Sequence, residues 1–155
     1  MDKVFPGRYA GQMEGPFVVF LIGLRVNCFW KFWTWLPVVR ASARLTQNLE
    51  QTPAAGYLHG DFFINRRGPL LIQYWRSLEA LEHFARSPQA PHLEVWQDFN
   101  RRVGVNGKVG LWHETYQVEG DKTQSIYNNM PVFGLAKAGR HLPADAAYES
   151  ARRPS

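Results

Sequence analysis

The chain has 155 residues, enough for one domain that buries most of its apolar surface and too few for two comfortable ones. Hydrophobic residues at 45% and charged residues at 20% match ordinary globular usage, whereas 14% aromatic residues is a surplus that needs a core, a pocket or an interface. The formal charge is +5, but no run of five like charges occurs, which argues against a nucleic-acid site, and the single Cys28 excludes an intrachain disulfide, an iron–sulfur cluster and a thiolate zinc site.

Residues 1–16 contain Pro6, Gly7, Gly11, Gly15 and Pro16 and read as an irregular lead-in. "FVVFLIGLR", residues 17–25, is a short β-branched and aromatic run of the kind found in a buried central strand. Residues 29–51 then read as helix, because "RASARLTQNLEQ" is rich in Ala, Leu, Arg and Gln, with Pro37 kinking or restarting it. This region is the most hydrophobic of the chain, yet Arg25, Asn27 and Lys31 interrupt it and its first apolar run ends at Leu24, too short for a transmembrane span. The aromatic "CFWKFWTWL" is either buried or touches lipid or an apolar ligand. With one cysteine and no basic-then-apolar leader, a cytoplasmic location is expected.

After the breaker "TPAAG", "YLHGDFFIN" and "PLLIQYWR" are two strand-like runs joined by "RRG", a hairpin signature. Ser77 can cap the helix "LEALEHFAR", with Glu79 in its first turn, where the helix dipole favours an acid. "SPQAP" leads to a further helix, "HLEVWQDFNRRVG", ended by Gly104, and "KVGLWHETYQV" supplies the last strong strand. The pattern weakens through "YNNMPVFG", and residues 139–155 read as a disordered tail.

The order β, α, β, β, α, α, β describes an α+β ferredoxin-like sandwich over residues 17–138, an antiparallel sheet with helices on one face. The first strand is apolar on both parities, Val18, Phe20, Ile22 and Leu24 against Phe17, Val19 and Leu21, so its other face also needs cover. A second subunit would supply it, which predicts a homodimer through the sheet face.

Several polar side chains stand where apolar ones would pack better. His92 and Asn100 fall on the arc of the late helix that also carries Val95, Trp96, Phe99 and Val103; each either bonds a backbone carbonyl or meets a ligand, since an unpaired buried group costs roughly 1–3 kcal/mol. On the last strand, alternation puts Trp112, Glu114 and Tyr116 on one face and Leu111, His113 and Thr115 on the other. If both faces are covered, neither His113 nor Glu114 reaches bulk water easily, and a subunit-interface hydrogen bond and a functional role are both open to them. Gln73, Tyr74, Trp75, His59 and Asp61 add polar tips on neighbouring strands, and Asn27 and Arg25 close the first one. Together they suggest an apolar cavity with a few polar groups, the usual form of a small-molecule site. "HETYQ" is not H-E-x-x-H, and no nucleophile elbow, P-loop or dinucleotide fingerprint is present.

"PGRYAG", "FVVFLIGLRVN", "IQYWRSLEALEHFARSPQAPHLEVWQDFNRRVG", "VGLWHETY" and "YNNMPVFGLAKAG" resemble the small monooxygenase-like family named after a protein of the fumagillin biosynthetic cluster. That family lies within the dimeric α/β-barrel superfamily of antibiotic-biosynthesis monooxygenases. The resemblance implies a ferredoxin-like protomer, a homodimer, and oxidation of a hydrophobic, natural-product-like small molecule of secondary metabolism. It also implies either no cofactor or a haem, because some superfamily members work without one and others hold haem through a histidine, which here would be His92 or His113.

The leading expectation is therefore an oxidoreductase with His92 or His113 as base or proton shuttle. Asn100, Gln73 and Asn27 would orient substrate or an oxyanion, Trp75, Trp96 and Trp112 would form walls, and Glu114 and Tyr116 would line the site. The alternatives are a haem-binding oxygenase or dehydratase of the same fold, and a non-enzymatic dimeric carrier of a hydrophobic ligand.

Overall fold

The computed structural model describes residues 2–28, 30, 33, 36, 37, 40, 56–87 and 107–147. Within them, strands β1 (Phe5–Gln12), β2 (Pro16–Val26), β3 (Tyr57–Asn65) and β4 (Gly68–Trp75) precede helix α1 (Leu78–Arg86) and the long strand β5 (Val109–Glu119). Strands β6 (Tyr127–Met130) and β7 (Arg140–Pro143) flank a short helix, α2 (Leu135–Ala138).

Four strands form the main sheet in the order β3-β4-β2-β5, all neighbours antiparallel. Each crossover, β2 to β3 and β4 to β5, spans one intervening antiparallel strand, which is the ferredoxin-like arrangement expected of the α+β class. The β3–β4 hairpin closes as the sequence predicts: Asn65 Oδ1 accepts from the backbone N–H groups of Arg67 and Gly68 in a local Asx turn. Ser77 caps α1 by accepting from Ala80 N–H at 3.1 Å, with Glu79 in the first turn.

The core lies between the sheet and α1, where Val18, Tyr57, Trp75 and Leu81 are buried and Phe20, Leu78, Ala80 and Phe84 pack against them. Trp75 is 0% exposed and meets Tyr57 edge-on at 5.3 Å and Phe84 at 5.3 Å between ring centroids. Burying an indole so completely and filling its surroundings with rings makes this the most costly place in the described core to open.

Two stretches depart from the sequence reading. Residues 5–12, expected to be irregular, form β1, the central strand of a second sheet ordered β6-β1-β7. Residues 140–143, expected to belong to a disordered tail, form β7 of that sheet. The prolines and glycines of β1 hid its pairing. Gly7 adopts φ 96° at a register shift between Phe5 and Arg8 that ends one run of pairing and starts another. Tyr9 stacks on His141 at 4.4 Å, and Phe5 meets the same imidazole edge-on, so rings on one side of the small sheet add to the buried Ala10, Leu135 and Ala136 in holding it together.

The second sheet reaches the main one through the segment before α2. Phe133 meets Phe63 edge-on at 6.0 Å, and α2 lies close to β3. Part of the sheet side away from α1 is therefore covered within the same chain, at the β3 end.

Candidate functional site

Cross-strand register assigns every strand residue to a side. Val18, Phe20 and Ile22 of β2 stand opposite Trp75, Gln73 and Leu71 of β4, and opposite Gln117, Thr115 and His113 of β5. On the β3 flank, Tyr57 stands opposite Trp75, Gly60 opposite Gln73 and Phe62 opposite Leu71. All of these share the side that carries the α1 core.

Gln73, Trp75 and His113 are thus brought together on one surface. Gln73 is 4% exposed, and its Oε1 accepts from the Trp75 indole Nε1 at 3.0 Å, which satisfies the buried indole N–H. Phe20 separates Gln73 from the imidazole of His113, its ring 5.7 Å from the histidine ring. Gly60 lets the Tyr57 phenol lie across the strand, since a Cβ there would collide with the phenol oxygen. The result is an aromatic and aliphatic floor with one amide in its middle and one imidazole toward its edge.

Trp112, Glu114 and Tyr116 project to the opposite side, so Trp112 does not wall the same space as Trp75. Neither His113 nor Glu114 is enclosed: both are exposed, because β5 is an edge strand of the four-stranded sheet and lacks a described neighbour beyond it. Glu114 Oε2 accepts from the Tyr116 hydroxyl at 2.6 Å, and this hydrogen bond, with the nearby carboxylate charge, raises the phenol pKa. Asn27 lies past the end of β2, where it accepts from Arg25 Nε at 3.1 Å and donates to the Gly107 carbonyl at 2.9 Å; it ties two chain segments together away from the floor. His92, Trp96 and Asn100 lie outside the described residues.

On the far side of the sheet is a polar cluster that alternation alone mis-sorts. A register shift between Tyr57 and His59 turns His59 to the side of Asp61 and Tyr74, away from Tyr57. His59 is 5% exposed, and its Nε2 lies 3.1 Å from Asp61 Oδ1. Burial first, then the neighbouring Tyr127 and Asp61, push the Tyr74 phenol up to about 12. Gly134, at φ 56°, passes close to both phenol oxygens; its missing side chain lets the segment before α2 settle on the cluster. His59, Asp61 and Tyr74 were visible as residue types, but the shift that gathers a buried histidine beside a half-buried carboxylate and phenol was not.

Haem ligation by His113 does not fit this arrangement. A histidine that holds haem works inside a shaped, largely dry crevice, and this imidazole is exposed on an edge strand. His92, the other candidate, is outside the described residues, and among the described residues no group of three or more His, Cys, Asp or Glu is placed to hold a metal ion. No described helix is long and apolar enough to cross a membrane.

The sequence profile of the monooxygenase af470-like family matches residues 17–135. Among curated proteins, none matches the chain in sequence. Among solved structures, an aldoxime dehydratase superposes with a TM-score of 0.64 at 20% identity, covering 90% of this chain and 43% of that one, so this chain spans less than half of the dehydratase. SnoaB from Streptomyces nogalater, a cofactor-independent oxygenase, gives 0.46 at 14% identity over 66% of this chain and 92% of its own. A dimeric protein of ferredoxin-like fold from Bacteroides fragilis gives 0.48 at 13% identity over 66% and 96%.

Proposed function

The chain belongs to the monooxygenase af470-like family, and on that premise we propose that it is an oxidoreductase that oxidises a hydrophobic small molecule held against the α1-facing side of the main sheet. The observation that carries this reading is Gln73, a buried amide in the middle of an apolar floor, with Phe20, Trp75 and Tyr57 around it. The carbonyl half of this amide has a structural use, as acceptor for the Trp75 indole; the amide N–H₂ half is the part assigned to a ligand.

The Trp75 indole occupies the Gln73 carbonyl oxygen, so the amide nitrogen is the group that can donate to a substrate oxygen. His113, at the edge of the same surface, takes the role of base, since imidazole exchanges protons in the neutral range. Removing a proton from a phenol or an activated C–H group raises the electron density that dioxygen can accept. A donor at Gln73 steadies the oxyanion that results. Aromatic walls suit an aromatic or terpenoid substrate.

The same reading includes a homodimer. On the side away from α1, Trp112 is 39% and Tyr116 49% exposed, and Val19, Leu21 and Ile72 are incompletely buried beside them. A second copy of the sheet laid on this strip would bury those rings and give Glu114 a drier setting. A cytoplasmic setting is part of the proposal too.

The test pairs an oxygen electrode and mass spectrometry with a panel of electron-rich phenols and apolar terpenoids. The parent should consume oxygen and add its mass to one class of compound, His113→Ala should lose turnover with binding retained, and Gln73→Met should weaken both. Tight binding of a panel compound with no oxygen uptake, unchanged in His113→Ala, would make the protein a carrier instead.

A further inference from the structure

We propose that one end of the main sheet, the end where β2 finishes, β3 turns into β4 and β5 begins, is a docking surface for an anionic phospholipid bilayer. The antiparallel order brings these four strand ends together, and Val26 N–H donates to the Arg67 carbonyl at 2.6 Å while Asn27 N–H donates to Lys108 at 2.8 Å. Trp30 follows Val26 by four residues and so belongs to this end.

Two apolar side chains here are exposed to an unusual degree: Trp30, 88% exposed, and Ile64, at the shoulder of the hairpin turn, 73%. Scattered single exposures need no explanation, but an indole and an isoleucine at the end of a sheet that also carries its cations do. An indole is the side chain best suited to the headgroup region of a bilayer, its ring partly in the acyl boundary and its N–H in the wet layer.

The charges point to the sign of the lipid. Arg25, Arg66 and Arg67 are exposed and Lys108 half-buried at this end, and no carboxylate occurs among the described residues 25–28, 64–68 and 107–110. The sequence repeats the bias: between Glu14 and Glu50 it has Arg25, Lys31, Arg40 and Arg44 and no acid. The opposite end of the sheet is mixed, with Glu14, Glu119 and Asp121 beside Arg76, Lys122 and Arg140. A molecule so divided presents its basic, aromatic end to an anionic surface, while the charge-balanced opposite end offers no such attraction.

Other occupants account for less. A second copy docked through the same end would set cations against cations. A nucleic acid would satisfy the arginines but leave Ile64 without a function, whereas a bilayer uses both. This surface is distinct from the α1-facing floor, and the inference holds whether or not the protein is an oxygenase.

The experiment is sedimentation of the full chain with phosphatidylcholine vesicles, with and without phosphatidylserine, at low and high salt. Binding should require phosphatidylserine and fall as salt rises. Acyl chains brominated near the headgroup should quench the protein's fluorescence, and the quenching should fall in a Trp30→Phe variant. Each cation near such a surface is worth about five-fold in affinity, so Arg66→Glu should weaken binding roughly twenty-five-fold. Ile64→Ser should weaken it further with an unchanged circular dichroism spectrum. Equal partition to both vesicle types, quenching unchanged by Trp30→Phe, or binding to a DNA duplex in preference to vesicles would overturn the proposal. So would self-association that Trp30→Ser abolishes.

Discussion

The indole of Trp112 lies directly on Gly23 of the neighbouring strand: a Cβ built at Gly23 would sit 2.7 Å from the indole Cε2 and Nε1 atoms. The two residues are cross-strand partners, so the ring folds flat over the one position in β2 that has no side chain. Gly23→Ala should therefore lift the ring off the sheet. We expect a loss of about 1–2 kcal/mol in urea unfolding and, if the proposed dimer forms through this side, weaker self-association by sedimentation velocity. A variant as stable as the parent would mean that the seating of this indole carries no stability.

The Gln73 to Trp75 bond makes a second prediction about the floor. Gln73→Leu removes the acceptor of a fully buried indole N–H and should cost about 1–3 kcal/mol. Trp75→Ala should cost about 3–5 kcal/mol through the cavity it leaves. If Gln73→Leu proves neutral in denaturant, the amide is not what satisfies the indole.

The Tyr74 phenol predicts how stability responds to alkali. Its pKa is raised from 10.0 to about 12 in the folded protein, so its contribution is fully present below pH 10.0 and is lost as pH climbs toward 12, because the unfolded chain ionises first. The phenol is little more than half buried, and with solvent screening the loss should be no more than about 1–2 kcal/mol. Urea titrations across that range should show the decline, and Tyr74→Phe should flatten its upper part. An identical decline in both proteins would assign the effect to other groups.

His59 and Asp61 should prove coupled. Asp61→Leu leaves a buried imidazole without its carboxylate partner and should destabilise by about 1–3 kcal/mol, whereas adding His59→Leu should recover part of that loss. The double-mutant cycle measures the coupling directly; strictly additive losses would show the two side chains to be uncoupled.

Much of the main sheet can be read from residue order. The apolar run of β2, the turn "NRRG", the Ser77 cap and the mixed face of β5 are local signals, each set by a few neighbouring side chains, and they fall where the sequence puts them. The alternation that separates His113 from Trp112 and Glu114 is equally local, since a strand has no choice but to alternate. The family resemblance carried by residues 73–104 and its neighbours is matched by the profile over residues 17–135.

The strand β1 escaped because Pro6, Gly7 and Gly11 are turn residues by propensity, and only pairing with β6 and β7, both more than a hundred residues away, makes a strand of them. His113 and Glu114 were expected to be enclosed because a sheet covered on both faces would enclose them; their exposure follows from the edge position of β5, a matter of strand order that no local pattern encodes.

Sequence by itself determined the class of the fold, the alternation of its strands and the aromatic, basic character of the chain, because these depend on side-chain type and near-neighbour spacing. Tertiary structure decided which residues share a surface. It set Gln73, Trp75 and His113 over one floor, turned Trp112 to the other side, and used a single shifted register to bury His59 against Asp61. The physical reason is that a strand's side-chain period is two, so one extra residue or one change of neighbour reverses what meets what, at a distance from the residues that cause it.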